Sequence, residues 1–292
     1  MSPITYAFFG TGPLAESVLA ELFRNGYLPS LIITKPDAEQ GRHMLLTEPY
    51  IKTWGTLKGI EVFQPESLKD LALDSPLHKK QFDVFIVASY GKIIPDTILN
   101  LPTQGVLNVH PSLLPKYRGP SPLESVLLDG AMTTGVSIIK LDSGMDHGPL
   151  LSQNAFMISP EATAGTLEVT CGQIGGQMLV QCLPHYLDGS LLPKEQNHSE
   201  ATICKKITKE LGCVLLTDTI DEVRRKFRAL TPWPGIYFFI KHKEKEIRVK
   251  INAIDLVSSK ESSLLTDYIV SVTPEGKKQM DFESFKRGYI RS

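Results

Sequence analysis

An asparagine and a histidine two residues apart, Asn108 and His110, end the apolar run in GVLNVHPSLLPKYRGPSPLESVLLDG, and Pro111 breaks the chain directly after them. Along a strand, residues i and i+2 project from one face, so an amide donor and a titratable imidazole stand side by side. A second loop, LDSGMDHG, follows the run TGVSIIKL and carries two acids, Asp142 and Asp146. If both runs are strands of one open sheet, their ends share an edge, and such edges are where ligands bind. Amide, imidazole and carboxylate are then complementary: one donates a hydrogen bond, one carries a proton, one accepts it. A lone histidine would by default be a satisfied core or turn residue; the neighbouring Asn108 and the second acidic loop lower that default.

A competing signal stands near the start of the chain. Gly10, Gly12 and Ala15 satisfy the GxGxxG/A spacing between an apolar run and a helix, the context of a dinucleotide-binding turn, and so suggest a nicotinamide oxidoreductase. The acid that should follow about twenty residues later, to hold ribose hydroxyls, has only Asp37 as a candidate, and it lies late, behind Pro36. The preferred reading is structural: the glycines let the chain turn sharply and bring the helix close to the sheet.

The elements that would position these residues follow from pattern. ITYAFFG reads as a strand and PLAESVLAELFRNG as a helix with Leu14, Val18, Leu22 and Phe23 on one face, ending at Gly26. LPSLIIT is a second strand, followed by a polar loop from Lys35 to about Pro49, a helix containing Trp54 and a short strand at IEVF. FDVFIVAS, GVLNVH and TGVSIIKL are further runs without polar alternation, as in a parallel or mixed sheet covered on both faces. The expected fold is therefore α/β: a doubly wound, Rossmann-like N-terminal domain with a mostly parallel sheet. A long helix from Thr163 to about Pro184 precedes the polar stretch DGSLLPKEQNHSE, read as a linker. Beyond it, TIDEVRRKFRAL is an amphipathic helix with Val223, Phe227 and Leu230 inward, and YFFIKHK, EIRVKINAI and YIVSV are short strands of a small β-barrel-like, OB-type domain. The expected divisions are 1–189, a linker at 190–204, and 205–292.

Composition agrees with two globular domains: 292 residues, 42% apolar and 22% charged. No stretch reaches eighteen apolar residues, and the start MSPITYAFFGTGPLAES shows no signal-type pattern, so no membrane span and a cytoplasmic location are expected. Cys171, Cys182, Cys204 and Cys213 form no metal-type spacing and read as reduced packing thiols; no metal is expected. The net charge of −1 conceals an asymmetry, since residues 205–292 hold 18 Lys and Arg against 12 Asp and Glu, leaving the remainder at −7. Such a split fits a polyanion-binding module, though a solvated basic face explains the charge equally well.

NVHPSLLPKYRG together with LDSGMDHG resembles the folate-dependent formyltransferase family: an Asn-x-His, a following SLLP loop, and an Asp in a glycine-flanked turn. The similarity is closest to the methionyl-tRNA formyltransferases and spans nearly the whole chain, through FFGTGPLAESVL, ASYGKIIP, RALTPWPG and PEGKKQM. The resemblance implies catalysis by Asn108, His110 and Asp146. It implies folate contacts at Ser112, Leu113, Leu114 and Pro115, with Tyr90 and Gly91 flanking the pterin pocket. Asp142 is grouped with the folate contacts, although by itself it reads as a solvated turn acid. The donor would be 10-formyltetrahydrofolate and the acceptor the methionine amine of initiator Met-tRNA, with a formyltransferase of amino-sugar nucleotides as the alternative. The Asn108 amide and His110 would face the developing oxyanion, while Asp146 would favour a cationic, donating His110 and help move the amine's proton.

The resemblance also implies acceptor contacts. Arg42 matches a tRNA-contacting loop, but His43, Met44, Leu45 and Leu46 follow it where basic residues are usual. Lys205, Lys206, Arg224 and Arg225 offer further phosphate contacts. Trp233 is expected to pack between domains rather than stack on a base, and the chain is expected to act as a monomer.

Overall fold

The computed structural model describes residues 4–40, 45–69, 71–257 and 264–290. Two compact units divide the chain: 1–120, 134–156 and 168–204 form the first, and 121–133, 157–167 and 205–292 the second.

The elements in chain order are β1 (Tyr6–Gly10), α1 (Pro13–Arg24), β2 (Leu31–Ile33), β3 (Ala38–Gln40), β4 (Leu45–Thr47), α2 (Tyr50–Leu57) and β5 (Val62–Phe63). There follow α3 (Pro76–Lys79), β6 (Val84–Ala88), α4 (Asp96–Leu99), β7 (Val106–His110), α5 (Pro122–Leu128), β8 (Thr133–Lys140), β9 (Leu150–Met157) and α6 (Ala164–Leu187). The remainder is α7 (Ile220–Ala229), β10 (Ile236–His242), β11 (Lys245–Ile254), β12 (Ile269–Pro274), β13 (Met280–Asp281) and α8 (Phe282–Phe285).

The first unit is built on a seven-stranded sheet in the order β5-β2-β1-β6-β7-β8-β9. Strands β5, β2, β1, β6 and β7 run parallel, and β8 is antiparallel to β7. Every residue of β1, β2 and β6 is buried, which is why these runs show no polar alternation. The doubly wound, mostly parallel α/β sheet is thus the fold expected from the sequence. Strand order reverses beside β1, so the strands flanking that point deliver their C-terminal ends to one edge.

At the first turn, a Cβ on Gly10 would lie 2.6 Å from Ala15 Cβ and 2.9 Å from the Ala88 carbonyl, and Gly12 takes φ 86°. The glycines do what the structural reading requires: they seat α1 against the sheet. The position at the end of β2 where a ribose-binding acid would stand holds Thr34, whose hydroxyl meets Thr11 at 3.0 Å. Asp37 is turned to Lys52 and Gln64, and these hydrogen bonds hold its carboxyl below the usual carboxylate range.

Some elements differ from expectation for local reasons. The loop expected from Lys35 to Pro49 contains the short hairpin β3–β4, and β9, with only Leu151 buried, shows too little apolar patterning to be read as a strand. Helix α6 runs through Pro184 to Leu187. The stretch read as a linker is held along the first unit by paired bonds between Leu150 and Lys194 and by bonds from Arg118 to Thr202 and Cys204 to Arg118.

In the second unit, β10, β11, β12 and β13 form an antiparallel four-stranded sheet, the β-rich C-terminal domain the sequence predicts. Its core includes Phe238, Val249, Ile251, Val272, Phe282 and Phe285. Helix α7 starts at a capping box in which Thr219 and Glu222 exchange hydrogen bonds, and it buries Val223, Ala229 and the following Leu230. The segments around α5 and before α6 join this unit: α5 packs on α7, and Arg228 donates to the Ala162 and Ser159 carbonyls. Trp233 is 54% exposed.

Candidate active site

Strand β7 lies between β6 and β8, in register Val87–Asn108–Ile139, and ends at His110 opposite Ser137. Asn108 is half-buried, and its side-chain amide has no hydrogen-bond partner among the described residues. His110 is 4% exposed. Its Nε2 lies 2.9 Å from the Tyr117 carbonyl, which can only accept, so Nε2 carries the hydrogen. Its Nδ1 faces Asp146 Oδ1 at 3.5 Å, longer than a formed hydrogen bond. Asp146 Oδ2 accepts the Gly119 amide at 2.8 Å, and Asp146 itself has φ 48°, a left-handed conformation that Asp tolerates better than most residues. The structure therefore brings Asn108, His110 and Asp146 to one sheet edge.

The SLLP loop is tied down by its own polar groups. Ser112 Oγ donates to the Lys116 carbonyl at 2.7 Å, and the buried Ser137 donates to the Ser112 carbonyl at 2.6 Å while accepting the Leu114 amide at 3.1 Å. Gln153 Nε2 adds bonds to the Leu114 carbonyl and Ser137 Oγ. Leu114 is buried, Leu113 and Pro115 are half-buried, and Leu113 fills the space beside Gly135. Ser137 and Gln153 were not anticipated. A single serine inside TGVSIIKL was the visible sign, since a buried strand keeps a hydroxyl only where it finds partners.

Tyr90 packs in the apolar layer with Phe85, Val87 and Phe9, edge-on to the last at 5.5 Å. Its Oη is buried without a hydrogen-bond partner among the described residues, and burial pushes its pKa up to about 12. An orphaned buried hydroxyl beside a site is a place for a ligand's polar edge. Gly91, at φ 69°, leaves room for Lys35, whose Nζ would lie 2.8 Å from an added Cβ. Asp142 turns inward on its own loop: Oδ1 accepts the Gly144 amide at 2.9 Å and Oδ2 the His147 Nδ1 at 2.7 Å.

Of the expected acceptor contacts, Arg42 lies outside the described residues, as do Gly41, His43 and Met44. Leu45 and Leu46 of β4 are exposed. Lys205 and Lys206 are exposed. Arg224 and Arg225 are half-buried: Arg224 donates to the Asp255 carbonyl at 3.1 Å and stacks 5.0 Å from the Tyr268 ring, and Arg225 lies against Gly130. Among the described residues no three His, Cys, Asp or Glu side chains converge as a metal site, and no helix is long and apolar enough to cross a membrane.

Residues 4–183 match the formyl transferase family, and 206–267 match the formyl transferase C-terminal domain. The chain is 40% identical over 232 residues to the methionyl-tRNA formyltransferase of Chloroflexus aggregans, covering 80% of this chain and 75% of that one. To the methionyl-tRNA formyltransferase of Dictyoglomus thermophilum it is 33% identical over 300 residues, 97% and 96% of the two chains. Its fold is shared by an N-formyltransferase from Helicobacter canadensis solved with folinic acid and dTDP-3-aminofucose (TM-score 0.60, 17% identity, 95% and 98% covered). HypX from Aquifex aeolicus with tetrahydrofolic acid shares it too (TM-score 0.64, 18% identity), covering 98% of this chain and 47% of that one. With both of its sequence segments matched and the Asn-x-His and Asp loops meeting at one sheet edge, this chain belongs to the formyl transferase family.

Proposed function

We propose that this protein transfers the formyl group of 10-formyltetrahydrofolate to the methionine amine of initiator Met-tRNA, for translation initiation in the cytoplasm. The observation that carries the reading is the convergence of Asn108, His110 and Asp146 in a chain aligned almost end to end with a relative named for that reaction.

The bound folate supplies an activated formyl carbon; this chain's residues orient and polarise it. With Nε2 committed to Tyr117, His110 has only Nδ1 to offer the formyl oxygen, beside the unpartnered Asn108 amide. Two donors on one oxygen match the preorganised stabilisation of a developing oxyanion, each contributing about a hundred- to a thousandfold in rate. Asp146, next to Nδ1, supports the imidazolium form while that oxygen is charged and takes part in moving the amine's proton to the leaving folate nitrogen. The Ser112–Pro115 loop and Asp142 are assigned to the folate, with Tyr90 and Gly91 flanking the pterin pocket.

The functional division proposed is 1–189 for catalysis, 190–204 as connection and 205–292 for tRNA. Lys205, Lys206 and the Arg42 loop would meet phosphates, with Arg224 and Arg225 contributing at most their exposed edges; the working form would be a monomer. The test is formyl transfer from labelled 10-formyltetrahydrofolate to Met-tRNA, scored as formyl-methionine. A chain that instead formylates an amino-sugar nucleotide and leaves Met-tRNA untouched would overturn the acceptor assignment.

A further inference from the structure

The main-chain conformation that presents Asp146 is held from a distant part of the sequence. Gln196 is 4% exposed, and its Nε2 donates to two carbonyls of the aspartate loop: Asp146 at 2.9 Å and Gly148 at 2.7 Å. Its Oε1 accepts from Arg118 Nη2 at 2.6 Å and Nε at 3.2 Å. Both N–H groups and both lone pairs of one buried amide are thus in use. Arg118, 8% exposed, also reaches His198 Nδ1 at 2.9 Å, and the next residue in the chain, Gly119, donates to the Asp146 carboxylate. Asp146 sits at φ 48°, which a side-chain-bearing residue keeps only when its surroundings over-determine it. Gln196 and Gly119 grip the same residue from two sides, one by its main chain and one by its side chain.

We infer that Gln196 is a positioning residue for the reaction: through Arg118 and the two loop carbonyls it sets where the Asp146 carboxylate stands relative to His110. The inference rests on the catalytic role proposed for Asp146. The chemistry demands an amide specifically. A glutamate at 196 could still pair with Arg118, but it would turn carboxylate oxygens toward two carbonyl oxygens and have no hydrogen to give them. A residue needed only to fasten the 194–204 segment would tolerate that exchange; a residue needed to hold the aspartate loop would not.

The experiment compares the wild-type chain with Gln196→Glu, Gln196→Met, Asp146→Asn and the Asp146→Asn/Gln196→Glu double variant. Steady-state transfer is measured with 10-formyltetrahydrofolate and Met-tRNA, alongside hydrogen exchange of the peptide covering 142–149. Gln196→Glu and Gln196→Met should lower kcat about ten- to a hundredfold, the cost of a misplaced catalytic group, with both KM values held within about threefold. The double variant should turn over no more slowly than Asp146→Asn alone, because a residue that acts through Asp146 has nothing left to position. The 142–149 peptide should exchange at least about tenfold faster in Gln196→Glu, while peptides of α6 keep their wild-type rate. Exchange of that peptide at the wild-type rate, wild-type kcat in Gln196→Glu, or full multiplication of the two losses would overturn the inference. Wild-type turnover in Asp146→Asn would instead overturn the role given to Asp146, and the exchange measurement reads the Gln196 contact whatever the acceptor is.

Discussion

His110 gives its Nε2 hydrogen to the Tyr117 carbonyl across 2.9 Å, and this single bond decides which nitrogen faces Asp146. The imidazole is pinned by a backbone group seven residues away, so Nδ1 is turned toward Asp146 and the open edge of the sheet. His110→Ala removes both functions. Turnover should fall at least about a hundredfold, and loss of the hydrogen bond to the Tyr117 carbonyl should cost about 0.5–1.5 kcal/mol of stability in urea unfolding. A variant as stable as wild type would show that the Tyr117 bond does not form in solution.

Tyr90→Phe removes a hydroxyl that has no partner among the described residues. Without ligand, the variant should be as stable as wild type or slightly more so, because no protein hydrogen bond is lost. The KM for the folate donor should rise by a factor of about five to ten, the worth of one hydrogen bond. Thermal melting with and without tetrahydrofolate reads both effects. A destabilised apo variant with an unchanged donor KM would mean that Tyr90 is a core residue only.

Gly10→Ala tests the structural reading of the glycine turn. The new methyl group would meet Ala15 and the Ala88 carbonyl, neither of which is the end of a flexible side chain. Overpacking of this kind costs about 1–3 kcal/mol, readable as a lower urea midpoint at unchanged slope. An unaltered midpoint would show that α1 is free to move away from the sheet.

Lys205 and Lys206, both exposed, are assigned to tRNA phosphates. Met-tRNA binding should weaken steeply with salt, and each Lys→Ala change should reduce the slope of log K against log salt by about one while leaving kcat at saturating tRNA unchanged. A flat salt response in filter binding would contradict a polyanionic acceptor and favour a small nucleotide sugar.

Much of the scaffold was legible because burial on both faces leaves a run of apolar residues with no polar partner in step, as in YAFFG, VFIVA and TGVSIIK. The Asn-x-His pair was legible for the same reason: two polar side chains stand out at the end of such a run. What escaped reading lies where side-chain type carries no positional signal. Gln196 sits among polar neighbours in PKEQNHSE, where a buried glutamine with every hydrogen-bonding site filled looks like any solvated one. Strand β9 buries only Leu151, and β3 and β4 have three residues each. Nor can a sequence tell which imidazole nitrogen meets a carbonyl. Trp233, expected to pack between domains rather than stack on a base, is 54% exposed.

Formyl transfer to tRNA through Asp146 is tested by one incubation of labelled 10-formyltetrahydrofolate and initiator Met-tRNA with the wild-type chain and with Asp146→Asn. Asparagine accepts the left-handed backbone of residue 146 as readily as aspartate, so the substitution removes the charge and keeps the loop. Formyl-methionine should form with the wild type, and its rate should fall at least about a hundredfold in the variant. Formyl-methionine formed at equal rates by both, or by neither, would contradict transfer through Asp146.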